Sequence, residues 1–166
     1  MVFIRQATKD DLERIIQLDK QIFGVYGGDE DPKIIFERLR VFPEGCIVLV
    51  LKHKTNLEVI VGYLTCEKWS QLREPILDEN PRDSHDVNGN IINVTTLAID
   101  PEFQNQGLGS MTLDWLYKFC LIQSCDTIIL ETAKARTFYQ RKGFIIIGER
   151  SQRGFPLYIM KKYLNK

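Results

Sequence analysis

Leu97-Ala98-Ile99-Asp100-Pro101-Glu102-Phe103-Gln104-Asn105-Gln106-Gly107-Leu108-Gly109-Ser110 is the stretch on which the architecture turns. It closes a run rich in β-branched residues, Ile91 to Ile99, which reads as a strand. The strand must stop at Asp100-Pro101, because proline offers no amide hydrogen to a ladder. After the two glycines, Leu108, Met111, Thr112, Trp115, Leu116 and Phe119 recur at helical spacing, predicting a helix to about residue 122. Strand, tight turn and amphipathic helix therefore follow one another directly. A helix start leaves its first amide hydrogens unpaired and carries a partial positive charge, so it suits an anion. Gly107 and Gly109 lack Cβ atoms, which would let a bulky diphosphate approach amides 105–110. A dinucleotide fold asks for a third glycine in G-x-G-x-x-G, which is absent. A P-loop asks for Lys-Ser or Lys-Thr after the glycines, where this chain has Leu108-Gly109-Ser110.

Upstream of the strand, residues 2–6 read as a short strand and Thr8 as the cap of a helix reaching about residue 23. Leu12, Ile15, Ile16, Ile22 and Phe23 line one face of that helix. A second helix is predicted over 33–41, then a hairpin of strands 46–53 and 58–68. Residues 71–90 form a long polar stretch of the kind that is often functional. Downstream, the pattern predicts a strand at 127–131, a short helix at 133–142 stopped by Gly143, and closing strands at 144–150 and 156–161. There is no internal repeat or linker. One domain over residues 1–166 is expected.

The bulk composition narrows the classes of function. Basic and acidic side chains balance at 22 each, whereas a nucleic-acid binder needs a basic excess. No apolar run approaches the roughly 20 residues of a membrane span, and no signal peptide is visible, so neither membrane nor nucleic acid is an expected partner and the cytoplasm is the expected compartment. Cys46, Cys66, Cys120 and Cys125 show no paired spacing, and His53 and His85 are far apart, so no metal site is expected. The cysteines read as small buried side chains.

Two motifs carry a resemblance. Gln104-Asn105-Gln106-Gly107-Leu108-Gly109 is similar to the Q/R-x-x-G-x-G/A motif of the GNAT superfamily of N-acetyltransferases. Ala135-Arg136-Thr137-Phe138-Tyr139-Gln140-Arg141-Lys142-Gly143-Phe144 resembles that family's later A-x-x-F-Y-x-x-x-G-F signature, and Ile4-Arg5-Gln6-Ala7 with Asp11-Leu12 its opening. The resemblance spans nearly the whole chain. It implies an α/β (α+β) fold: a mixed, largely antiparallel central sheet flanked by helices, with two splayed parallel strands opening a cleft. It implies acetyl-CoA as co-substrate, with no metal, and transfer of the acetyl group to a primary amine by direct attack in a ternary complex.

Residue by residue, the resemblance places the pantetheine arm against the backbone of Leu97, Ala98 and Ile99, and the pyrophosphate at Gln104 and at Asn105, Gln106, Gly107, Leu108, Gly109 and Ser110. A backbone amide near Leu97 or Ala98 is the implied oxyanion donor. Tyr139 is placed where the family often has a tyrosine that protonates the departing thiolate; it also falls on a helical stripe with Ala135 and Phe138. The base is open between Glu131, which some relatives use, Glu67, and a chain of waters. Thr132 stands at an offset where many relatives have a cofactor-contacting asparagine, so that contact departs from the pattern. The acceptor is not legible, although Glu74, Asp78, Glu79, Asp83 and Asp86 against Arg73 and Arg82 would give an acidic rim suited to a cationic amine. A small-molecule amine and a protein N-terminus or lysine stay open, as does a homodimer. The rival reading is a non-catalytic module of the same fold that binds acyl-CoA as a ligand.

Overall fold

The computed structural model describes residues 1–164. Among them, seven strands form one sheet in the order β1-β2-β3-β4-β5-β7-β6. These are β1 (Val2–Gln6), β2 (Ile47–Lys52), β3 (Glu58–Trp69), β4 (Ile91–Ile99), β5 (Thr127–Thr132), β6 (Ile145–Gln152) and β7 (Phe155–Tyr163). Every neighbouring pair is antiparallel except β4 with β5, which is parallel. The mixed, largely antiparallel sheet expected from the sequence is the one found.

Helices cover both faces. On one lie α1 (Leu12–Phe23) and α2 (Pro32–Val41), whose Ile15, Leu18, Ile35 and Leu39 bury against Val48, Val50, Tyr63 and Ala98. On the other lie α4 (Leu108–Ile122) and α5 (Arg136–Arg141), which set Leu113, Leu116, Phe119 and Tyr139 against Leu49, Leu64, Ile92, Leu130 and Met160. Each fully buried aliphatic side chain of this kind contributes about 1.5–3 kcal/mol. The alternation of β4 thus sorts its side chains between two layers, and both layers meet the site.

Three boundaries differ from the sequence expectation. The helix predicted over 133–142 is shortened to α5, because the Thr132 hydroxyl accepts the Ala135 amide at 2.8 Å and holds the preceding residues out of the helix. The closing strands run longer than predicted. Arg153 and Gly154, at φ +48° and +84°, make a tight left-handed turn that lets pairing continue from Ser151↔Pro156 to Gln152↔Phe155. The 71–90 stretch carries a helical turn of its own, α3 (Pro81–Ser84), capped by Asn80. It is pinned where Asp78 accepts the Asp31 amide at 2.7 Å and where the His85 ring nitrogen accepts the Lys68 amide at 3.0 Å.

Candidate active site

β4 and β5 pair over three positions only, Ile91↔Thr127, Ile92↔Ile128 and Asn93↔Ile129, although β4 runs on to Ile99 and β5 to Thr132. The cause sits on the other edge of β4. Against β3, Thr65 faces Thr96 while Cys66 faces Val94, so Thr95 is an extra, bulged residue that bends the strand. The Thr65 and Thr95 hydroxyls are hydrogen-bonded at 2.6 Å there. Beyond the bulge the parallel strands part, and a cavity of about 770 Å³ fills the fork. Leu97, Ala98 and Ile99 line it; the Asp100 amide bonds Val61, so by alternation Ala98 turns its backbone groups to β3, and with no strand beside the other edge the Leu97 amide and carbonyl and the Ile99 amide face the cavity side.

At the wide end lies the turn between β4 and α4. Asp100 caps it, accepting the Glu102 amide at 3.0 Å and the Arg14 guanidinium at 2.8 Å. The Gln104 side chain donates to the Ile99 carbonyl at 3.1 Å and braces the loop. Asn105 and Gly107 take positive φ, +62° and +80°. Among the described residues, no protein acceptor is recorded for the amides of residues 105–110, and the first helical bond runs from Met111 to Gly107 at 3.0 Å. An unpaired amide cluster at the start of a 15-residue helix is suited to an anion. Gln104, Asn105, Gly107, Leu108, Gly109 and Ser110 line the cavity; Gln106 does not.

The glycines act differently from one another. Gly107 has open space where a side chain would stand, so its role is the left-handed φ. A Cβ on Gly109 would sit 3.1 Å from Phe138 Cζ, so that glycine lets α5 pack against the start of α4.

Tyr139 projects from α5 into the cavity and is 6% exposed. Burial pushes its phenol well above the ordinary tyrosine range, with the nearby Tyr117 adding to the effect. It is therefore a protonated hydroxyl at neutral pH, and no protein partner is recorded for it among the described residues. Thr132 also lines the cavity, with its oxygen engaged by Ala135 and its proton free to be donated.

The face of the fork opposite α4 and α5 carries the carboxylates. Glu131 is held through both oxygens by Arg150, at 2.5 and 2.8 Å. Glu67 is buried, accepting from the Ser84 hydroxyl at 2.5 Å and the Trp69 indole at 3.2 Å. Arg38 gives Nε and Nη2 to Glu30, at 2.8 Å to each oxygen, and leaves Nη1, 3.8 Å from Glu67, with no hydrogen-bond partner among the described residues. Burial opposes the Arg38 charge, and the Glu30 carboxylate more than offsets it, leaving the guanidinium firmly protonated. Of the acids of the 71–90 loop, Asp78 accepts the Asp31 amide at 2.7 Å, Asp86 accepts the Asn88 amide at 2.9 Å, and Glu79, which lines the cavity, pairs with Arg73.

The four cysteines are buried and unpaired. Burial pushes the Cys46 and Cys120 thiols up to about 12, so they are poor nucleophiles. Among the described residues, no helix is long and apolar enough to cross a membrane.

Sequence reasoning missed Arg38, Asn93 and Arg150. Two left a signal. Arg38 interrupts the buried stripe Ile35, Leu39 of α2, and Asn93 interrupts Ile91, Ile92, Val94 of β4. Arg150 left none, because only the strand order brings β6 within reach of Glu131.

Comparison with known proteins agrees with this geometry. No curated protein matches the chain. Among solved structures, Ard1 from Thermoplasma volcanium superposes with a TM-score of 0.76 at 19% identity, covering 99% of each chain. The loading GNATL domain of CurA from Lyngbya majuscula gives 0.81 at 18% identity, covering 98% of each. The ribosomal-protein-S18-alanine N-acetyltransferase from Escherichia coli gives 0.69 at 16%, covering 100% of this chain and 96% of that one. At such identities the likeness is one of fold. The family model described as Acetyltransferase (GNAT) family matches residues 12–144, and the chain belongs to that family.

Proposed function

We propose that this protein transfers an acetyl group from acetyl-CoA to a primary amine by direct attack within a ternary complex. The observation that carries the reading is the fork: two parallel strands that part after Asn93, with an unpaired backbone edge leading to an unpaired amide cluster. A diphosphate suits the amides of residues 105–110, and a pantetheine arm suits the open edge at Leu97, Ala98 and Ile99. From Ile99 back to Val94 the strand spans about 16 Å, which brings the thioester to the root of the fork. There it meets Tyr139 from one face and the carboxylates from the other.

The thioester is already an activated donor, so alignment can supply about 7–11 kcal/mol of the barrier. The ammonium first gives one proton to a carboxylate. Glu67 is better placed for this than Glu131, because its hydrogen bonds come from neutral donors and the Arg38 guanidinium stands off at 3.8 Å, while protonating Glu131 would break a bidentate, hydrogen-bonded ion pair. The neutral amine attacks the acetyl carbon, with a backbone amide near Leu97 or Ala98 supporting the oxyanion. The C–N bond forms, the C–S bond breaks, and the second proton on nitrogen leaves to water. Tyr139 protonates the thiolate and is reprotonated by solvent.

The test is release of free thiol from acetyl-CoA across a panel of primary amines, with and without protein. Turnover on at least one amine is expected. Tight binding of acetyl-CoA with no thiol release from any of them would point instead to a non-catalytic acyl-CoA module.

A further inference from the structure

The 71–90 stretch, whose acids suggest a charged rim, brings apolar side chains to the cavity instead. Its first half is a strap held at both ends. At one end Arg150 of β6 lies 3.9 Å from Glu74. At the other, Asp78 accepts the Asp31 amide beside α2 at 2.7 Å, and Arg38 of α2 donates to the Glu79 carbonyl at 3.4 Å. Pro75, Ile76 and Leu77 stand between these anchors, and all three line the cavity. Ile76 does so while 59% exposed.

The connection between α1 and α2 reaches the same part of β6. Arg150 donates to the Gln152 side chain at 2.9 Å, and Gln152 donates to the Gly27 carbonyl at 3.3 Å. Tyr26 beside it packs edge-on against Phe155, with ring centroids 5.3 Å apart. Leu157 of β7 stands opposite Arg150 in the ladder. Tyr26 and Leu157 both line the cavity. Apolar surface kept wet inside a concavity is a gain waiting for an apolar ligand.

The charges there point the same way. Among the described residues, the carboxylates lining the cavity are Glu30, Glu67, Glu79 and Glu131. Arg38 holds Glu30, Arg73 holds Glu79 and Arg150 holds Glu131. Glu67 is reserved for the reacting nitrogen. Lys134 sits over the Tyr26 ring at 5.1 Å and adds a positive charge. A second ammonium on the acceptor would lose its hydration without gaining a partner.

We propose that the 74–79 strap selects the acceptor, and that this acceptor carries its amine on an uncharged, apolar body. Ile76 and Leu77 cover that body from the strap, and Tyr26 and Leu157 from the other walls. The assignment rests on the N-acetyltransferase reading and deepens it by naming the substrate class. It also replaces the cationic acceptor that the acids of 71–90 suggest. An alkylamine and a polypeptide with an apolar first residue share this chemistry.

The experiment follows thiol release at saturating acetyl-CoA with two matched pairs of probes. Hexylamine and 1,5-diaminopentane are equal in length and differ in a terminal methyl against an ammonium. Leu-Gly-Gly-Gly and Asn-Gly-Gly-Gly differ in an isosteric first side chain. In at least one pair the apolar member should have a kcat/KM about tenfold higher or more; which pair is turned over tells the small amine from the polypeptide. Ile76→Ser should shrink that preference about fivefold, the weight of roughly one methylene taken out of contact, and Ile76→Asp should shrink it further. Because Ile76 is exposed and remote from the amide cluster, Tm and the acetyl-CoA affinity by calorimetry should not change in either variant. Equal kcat/KM within both pairs, an undiminished preference in Ile76→Ser, or turnover confined to other amines overturns the assignment and leaves the transferase reading intact. Acetyl-CoA binding with no thiol release from any amine overturns both.

Discussion

Arg150 reaches from β6 across β7 to hold both oxygens of Glu131 on β5, at 2.5 and 2.8 Å. The same guanidinium donates to the Gln152 side chain at 2.9 Å, and Gln152 in turn donates to the Gly27 carbonyl at 3.3 Å. One arginine thus ties the wall of the fork to the loop between α1 and α2. Arg150→Ala should cost about 1–3 kcal/mol of stability by urea denaturation, because it strands a partly covered carboxylate. Arg150→Met combined with Glu131→Leu should recover much of that loss. A double variant as unstable as the single one would show that the pair is not what the wall depends on.

Tyr139→Phe separates chemistry from binding. Among the described residues the hydroxyl has no protein partner, so its removal should leave Tm nearly unchanged and acetyl-CoA affinity intact. Turnover should fall by about 10²–10⁴-fold, the usual contribution of a general acid. Wild-type kcat in the variant would take Tyr139 out of the reaction and leave it as packing on α5.

The packing role of Gly109 gives a paired test. A methyl group there meets Phe138 at 3.1 Å, so Gly109→Ala should push α5 away from the first turn of α4 and weaken acetyl-CoA binding. Trimming the ring with Phe138→Leu in the same chain should bring the affinity back. Calorimetric titration of both variants checks this. If the second change brings no recovery, the methyl acts directly on the ligand.

Asp19 makes stability depend on pH in an unusual direction. It is buried, accepting the Tyr63 hydroxyl and the Glu30 amide, each at 2.7 Å. Burial raises its pKa from 3.8 to about 6. The native state then binds this proton more tightly than the unfolded chain, so this residue's contribution to stability falls as pH rises from about 4 to about 6. Raising the pKa by that much corresponds to about 3 kcal/mol. Asp19→Asn removes the slope. Its Tm relative to wild type should climb over that range and level off above it, and a gap independent of pH would contradict the assignment. Asp11, held low chiefly by its hydrogen bonds from Arg5, works in the opposite sense and is common to both proteins.

Much of this was legible in the chain because it is local. The β4 bounds, the α4 start and the Tyr139 stripe follow from proline, glycine and helical spacing within a few residues of one another. The bulge at Thr95 was not legible, since it is a relation between two strands, seen only when Thr65 and Cys66 are matched to Thr96 and Val94. The base was ambiguous for the same reason: nothing near Glu131 in sequence announces Arg150. Arg38 and Asn93 were visible as polar interruptions, yet only burial and an unmatched hydrogen bond give them meaning.

The central claim is that the fork between β4 and β5 grips a coenzyme-A thioester through backbone amides. Its most direct measurement is titration of the protein with acetyl-CoA, followed by heat and by thermal shift, beside Gly107→Val, which forces a β-branched side chain into a left-handed turn. Saturable one-site binding that raises Tm, and that is much weaker in the variant, is the predicted result. No heat and no thermal shift with the wild-type protein would contradict the account.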